Sequence, residues 1–176
     1  MAFVKSMTPD NESVSAVMGG YGEQAKALFA LTQQVMRTGD SRLDAGQREL
    51  IAAYTSQLNS CNYCFGTHQA TAAAFGVDVA VLEAVEADID AAAIDPAMKP
   101  VLRYVKTLTL TPAKLTQADA DAIFAAGWDE NDFHYVVMVC ALFNFFNRMI
   151  EGYGVQNVAD FWAARGATLA ERGYVL

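Results

Sequence analysis

The residue types that carry most protein chemistry are scarce in this chain: two histidines, three cysteines and two tryptophans among 176 residues. So few cysteines exclude a disulfide scaffold, and a chain of this length can bury a full core without one. Lysine and arginine number 12 against 20 aspartates and glutamates, and the net charge of −8 excludes sequence-independent nucleic-acid binding, which needs a basic surface. The same charge disfavours anionic membrane surfaces. The longest uncharged apolar run, residues 135–143, is too short to span a bilayer. There is no glycine-rich phosphate loop and no nucleophilic-serine motif. Residues 1–18 contain acidic side chains and no apolar h-region, so no export signal is predicted and a reducing cytoplasm is expected. In that setting a Cys-x-x-Cys pair points to redox or metal chemistry rather than to a structural disulfide.

What the chain has is apolar surface and helical periodicity. The apolar fraction is 53%, above the globular norm, and the surplus predicts a subunit interface and hence a homo-oligomer. The expected organisation is one domain over residues 1–176, with an N-terminal arm over 1–20 and a core over about 42–152. In the arm, Pro9-Asp10-Asn11 marks a turn. Helices are predicted over about 21–37, 45–58, 60–74, 80–87, 96–108, 117–126, 129–152 and 158–171. Strand signals are few, and the fold class is all-α.

The chemistry concentrates between Glu49 and His68. Cys61-Asn62-Tyr63-Cys64 starts a helix for which Asn59 or Ser60 is the expected cap, placing Cys61 in the first turn, where the helix dipole favours a thiolate. Cys64 and His68 are spaced i and i+4, on one face. In a straight helix Glu49 would lie about 18 Å from Cys61, too far to cooperate. A hairpin at Asn59-Ser60 removes the difficulty, because Glu49 and His68 then lie at similar distances on either side of the bend. In a redox reading, His68 takes the proton from Cys64, Glu49 orients the imidazole, and Cys61 condenses with oxidised Cys64. A buried core histidine and a zinc site of Cys61, Cys64, His68 and Glu49 are the competing readings; glutamate is a poor structural zinc ligand. Covalent haem attachment is excluded, because Phe65 stands where the histidine must follow the second cysteine. The expectation is no cofactor and no metal. Cys140 and His134 read as structural, whereas Arg148, a charge on an apolar helix, should have a buried carboxylate partner or mark a substrate pocket.

The spacing Glu49, Cys61, Cys64, His68 resembles the active-site pattern of the alkylhydroperoxidase D-like branch of the carboxymuconolactone decarboxylase family. Gly76-Val77-Asp78 and Asn144-Phe145-Phe146-Asn147-Arg148 are similar to its peroxidase-related subgroup, over about residues 42–152. The resemblance implies a helix-hairpin-based all-α bundle, trimers or hexamers, and reduction of a hydroperoxide through a Cys61/Cys64 dithiol–disulfide cycle. It also implies Cys64 as the peroxidatic thiol, Cys61 as the resolving one, His68 with Glu49 as the proton relay, and a thiol or dithiol reductant as partner. One departure stands out: well-known members have a histidine directly before the second cysteine, and this chain has Tyr63. A tyrosine hydrogen-bonds but does not accept a proton at neutral pH. A lactone decarboxylase of the same family and a non-catalytic dithiol sensor are the alternatives; the first does not need the cysteine pair, and the second would oxidise once and stop.

Overall fold

The computed structural model describes residues 2–4, 13–156 and 159–175. Among them are nine α-helices and no strand: α1 (Val14–Met18), α2 (Gly22–Gln33), α3 (Ala45–Leu58), α4 (Asn62–Ala74), α5 (Ala80–Ala87), α6 (Met98–Leu110), α7 (Gln117–Ala125), α8 (Glu130–Tyr153) and α9 (Ala159–Arg172). The all-α expectation holds. The turn expected at Pro9-Asp10-Asn11 lies outside the described residues, and so does Val158, the expected start of the last helix.

Local chemistry sets most helix starts. Asp44, Thr116 and Asp129 each form a capping box with the residue three positions on, at the heads of α3, α7 and α8. The second helix ends differently from expectation: after Gln33 the backbone widens into a π turn, Gln34–Thr38, that carries Arg37. Pro96 and Pro100 flank the start of α6 rather than setting it; the Asp95 carboxylate takes the Ala97 amide and the helix opens at Met98.

α3 and α4 form the central antiparallel hairpin, with α8 packed on α3 and α9 on α4. The bend is a Schellman turn: the Ser60 amide donates to Gln57 O (2.9 Å) and the Cys61 amide to Ser56 O (3.0 Å), with Ser60 left-handed at φ 56°. That conformation costs a non-glycine residue about 1–2 kcal/mol. It persists because α8 holds the bend from outside. Asn59 Nδ2 donates to Asn144 Oδ1 (3.1 Å) and Asn147 Oδ1 (2.8 Å), and Asn147 Nδ2 donates to Ser56 Oγ (3.0 Å).

By length and composition alone α8 could cross a membrane, and no other described helix could. It instead fills the centre of the bundle, burying Val136, Val139, Cys140, Phe143, Phe146 and Ile150. Cys140 is core, its sulfur 3.3 Å from Thr109 Oγ1. Arg148 corrects its expectation: it is exposed and donates to Asn144 O and Oδ1 (2.8 Å each), and among the described residues it pairs with no carboxylate.

The head of α8 is tied down by Asp132, which is 1% exposed. Its carboxylate accepts from Ser41 Oγ (3.0 Å), the Arg42 amide (2.8 Å), Arg42 Nε (2.8 Å) and the Asp129 amide (3.1 Å). Burial pushes its pKa up, but the donated amides of Asp129 and Arg42 and the Arg42 guanidinium outweigh burial and hold it below the usual carboxylate range. A depressed folded pKa contributes stability above the unfolded value of about 3.9, lost as pH falls through the folded value. Asp132→Asn is therefore expected to cost about 2 kcal/mol at neutral pH. The loss should shrink below pH ~4, as followed by chemical denaturation across pH.

Candidate active site

The hairpin brings Glu49 and His68 together across the bend. His68 Nδ1 lies 2.7 Å from Glu49 Oε2, and Glu49 is fully buried. Oε1 accepts from Arg37 (2.6 Å) and from the Tyr174 hydroxyl (2.8 Å). Burial alone would raise the Glu49 pKa, but the charge and hydrogen bond of His68, then Arg37 and Tyr174, prevail and lower it. An ionised Glu49 accepts from a protonated His68 Nδ1, so in the neutral imidazole the lone pair is on Nε2. The imidazole is further fixed by the edge of Phe143, at 4.3 Å between ring centroids, and by the stacked Tyr174 ring at 6.2 Å.

Arg37 and Tyr174 are the residues that sequence reasoning missed. Arg37 reaches Glu49 from the π turn and also donates to Met36 O (2.9 Å) and Leu169 O (3.2 Å), with its guanidinium 5.0 Å from the Phe75 and Tyr174 rings. Tyr174 comes from the chain's far end, where its amide is held by Gln33 Oε1 (2.7 Å). Burial, followed by the Glu49 charge, keeps its phenol well above the usual range, so it remains a donor to the carboxylate. One signal for this arrangement was present: glycines inside helical patterns often mark close packing. A Cβ on Gly66 would come 2.2 Å from Trp162, and one on Gly166 would come 2.6 Å from the Ala70 Cβ. These two glycines let α9 approach α4 closely and bring the C-terminal segment against His68.

Cys61 and Cys64 are both buried, free thiols. Neither Asn59 nor Ser60 caps α4, because the Schellman turn uses both; Cys61 itself is the N-cap residue, and its side chain makes no capping bond. The expectation of a stabilised thiolate at Cys61 is likewise corrected. Its hydrogen bond with Cys64, then burial, push the Cys61 thiol far up, so Cys61 keeps its proton. Cys64, in the first turn of α4, has the free amides of the helix start near it.

Cys64 and His68 line one cavity of about 40 Å³. That is room for roughly three or four waters, since each needs about 10–15 Å³ on this measure. Its walls include Tyr63, Phe143, Arg165 and Tyr174, whereas Cys61 does not reach it. Tyr63 occupies the departure position; burial pushes its phenol up to about 12, and its oxygen accepts from the Val14 amide (3.3 Å). It cannot serve as a second base. His134 lies elsewhere on α8, with its ring against Tyr135. Among the described residues no group of three or more His, Cys, Asp and Glu side chains is arranged to hold a metal ion.

The fold has relatives. An uncharacterized peroxidase-related protein from Silicibacter sp. TM1040 superposes with a TM-score of 0.77 at 24% identity, covering 85% of this chain and 78% of that one. A second uncharacterized peroxidase-related protein, described as an alkylhydroperoxidase AhpD core, from Ralstonia eutropha JMP134, superposes with a TM-score of 0.77 at 25% identity, covering 87% and 80%. No functionally curated protein matches the chain. The sequence profile of the carboxymuconolactone decarboxylase family matches residues 22–107, a span that contains Arg37, Glu49, both motif cysteines and His68 but not Arg165 or Tyr174. The likeness to the carboxymuconolactone decarboxylase family therefore lies in residues 22–107, just under half of the chain.

Proposed function

We propose that the protein is a thiol-dependent peroxidase that reduces hydroperoxides with the Cys61/Cys64 dithiol. The observation that carries this reading is the asymmetry of the pair. Cys64 lines the cavity beside His68, while Cys61 is buried outside it, its thiol pushed up by the neighbouring Cys64 and by burial. A sulfur that keeps its proton is a poor nucleophile, and only the thiolate attacks.

In the proposed cycle His68 Nε2 takes the Cys64 proton, and the thiolate attacks the terminal oxygen of the hydroperoxide. An S–O bond forms as the O–O bond breaks, the sulfur is oxidised by two electrons, and the alkoxide leaves as alcohol with the proton from His68. Glu49, held by Arg37 and Tyr174, stabilises the imidazolium between these two transfers. Oxidation of Cys64 removes the thiol that holds the Cys61 proton; Cys61 then attacks the sulfenic sulfur, its proton passing to the departing hydroxyl, so that water leaves and a disulfide closes. An external thiol or dithiol must reopen it for turnover, in a reducing compartment such as the cytoplasm. Self-association, as trimers or hexamers, accompanies this reading; the exposed Leu110 and Phe145 support it.

The test is to treat the fully reduced protein with one equivalent of an organic hydroperoxide, count thiols and map bridges by mass. Loss of two thiols with a Cys61–Cys64 bridge is expected. Retention of both, with Cys64 still open to alkylation, would sink the peroxidase reading.

A further inference from the structure

The cavity wall carries one charge that the proton relay does not use. Arg165, on α9, lines the cavity together with Val14, Phe29, Phe146 and Leu169, and it stays partly exposed, so it stands where the cavity meets solvent. Other arginines are committed. Arg37 is bound to Glu49, Arg42 to Asp132 and Arg103 to Asp90, while Arg48 donates to three backbone carbonyls near 3.0 Å. Arg165 makes no ion pair among the described residues. Its charge nonetheless acts on both aromatic walls, lowering the Tyr63 and Tyr174 phenols against the stronger effect of burial. A guanidinium has five donors in a planar fork matched to a carboxylate, and it gains most from such a partner where water is partly excluded. In a chain of net charge −8, an arginine with no ion pair among the described residues, at a largely apolar cavity, also selects against cations and draws anions locally.

We infer that the cavity takes hydroperoxides bearing a carboxylate on an apolar frame, with Arg165 binding the carboxylate while the peroxide end enters beside Cys64. The small cavity volume suits the peroxide group alone, and the rest of such a substrate lies along the apolar wall towards Arg165. The peroxide half of this inference rests on the peroxidase reading; the carboxylate half does not.

A matched pair separates the two halves: cumene hydroperoxide and its para-carboxylate analogue, each reacted with the reduced full-length protein. The rate constant for Cys64 oxidation should favour the carboxylate by about tenfold, the scale of one charge-assisted contact. In Arg165→Gln the ratio should fall to about one, and in Arg165→Lys an intermediate ratio should survive, because lysine keeps the charge but not the fork. A wild-type ratio of one or less, or a ratio unchanged in Arg165→Gln, overturns the inference. If neither hydroperoxide oxidises Cys64, the peroxidase reading has failed, and the carboxylate site is read without it. Para-isopropylbenzoate should then slow alkylation of Cys64 in the wild-type protein, where neutral isopropylbenzene at the same concentration does so less. Equal effects of the two would overturn the carboxylate site as well.

Discussion

Cys64→Ser is expected to abolish hydroperoxide consumption, whereas Cys61→Ser consumes one equivalent and stops. The two sulfurs are three residues apart, yet the fold treats them differently. Cys64 reaches the cavity, one helical turn before His68 on the same face of α4. Cys61 is the N-cap residue, sits outside the cavity and retains its proton through its contact with Cys64 and its burial. A serine at position 64 keeps the shape but removes the nucleophile, and losses of roughly 10³-fold or more are usual when the attacking atom of a coupled group is removed. Cys61→Ser leaves attack intact but removes the partner that condenses with the sulfenic acid, so Cys64 should be trapped as Cys–SOH and labelled by dimedone. Turnover assays with a dithiol reductant, paired with intact-protein mass, distinguish the outcomes. Normal turnover by both variants would show that the dithiol is not the reacting centre; a trapped sulfenic acid in Cys64→Ser instead would exchange the two roles.

Position along the chain explains what could be read from sequence. The Glu49–His68 contact was legible because both residues flank one hairpin, and fixed helical rise makes distances from a bend computable. Helices α3, α7 and α8 were legible because Asp44, Thr116 and Asp129 carry their start signals within four residues. The cap of α4 is not fixed locally, because Asn59 and Ser60 suit a helix end as well as a helix start, and tertiary bonds from Asn59 to Asn144 and Asn147 settle the choice. Arg148 drew attention by its apolar neighbours in sequence, but its face of α8 points outward. Gly66 and Gly166 mark the close packing of α9 on α4, but Arg37, Arg165 and Tyr174 themselves reach the site from a π turn or from the last helix and tail, and no local pattern encodes contacts such as Tyr174 to Glu49, 125 residues apart.

Those distant contacts converge on Glu49, so Glu49→Gln should be the most damaging single change outside the cysteines. The carboxylate is fully buried and satisfies three donors, one of them the Arg37 guanidinium, whose side chain is only 12% exposed. Glutamine keeps the volume but has a single acceptor oxygen, so one end turns an N–H group towards existing donors and Arg37 loses its counter-charge. Breaking a buried ion pair from one side costs about 3–5 kcal/mol; the carbonyls of Met36 and Leu169 still hold Arg37, which places the expected loss near ~3 kcal/mol. For a domain of this size that is a fall of about 6–12 °C in Tm. The sign of its pH dependence follows from the lowered Glu49 pKa: wild-type stability from this group is present above the unfolded value of about 4.3 and lost as pH falls through the folded value. The gap between wild type and Glu49→Gln should therefore close on acidification. A purely structural role would stop there. If the carboxylate also sets the His68 tautomer, Cys64 alkylation measured well below the variant's Tm should slow and its pH profile should change. A lowered Tm with an unchanged alkylation profile would leave Glu49 as a structural anchor and remove it from the relay.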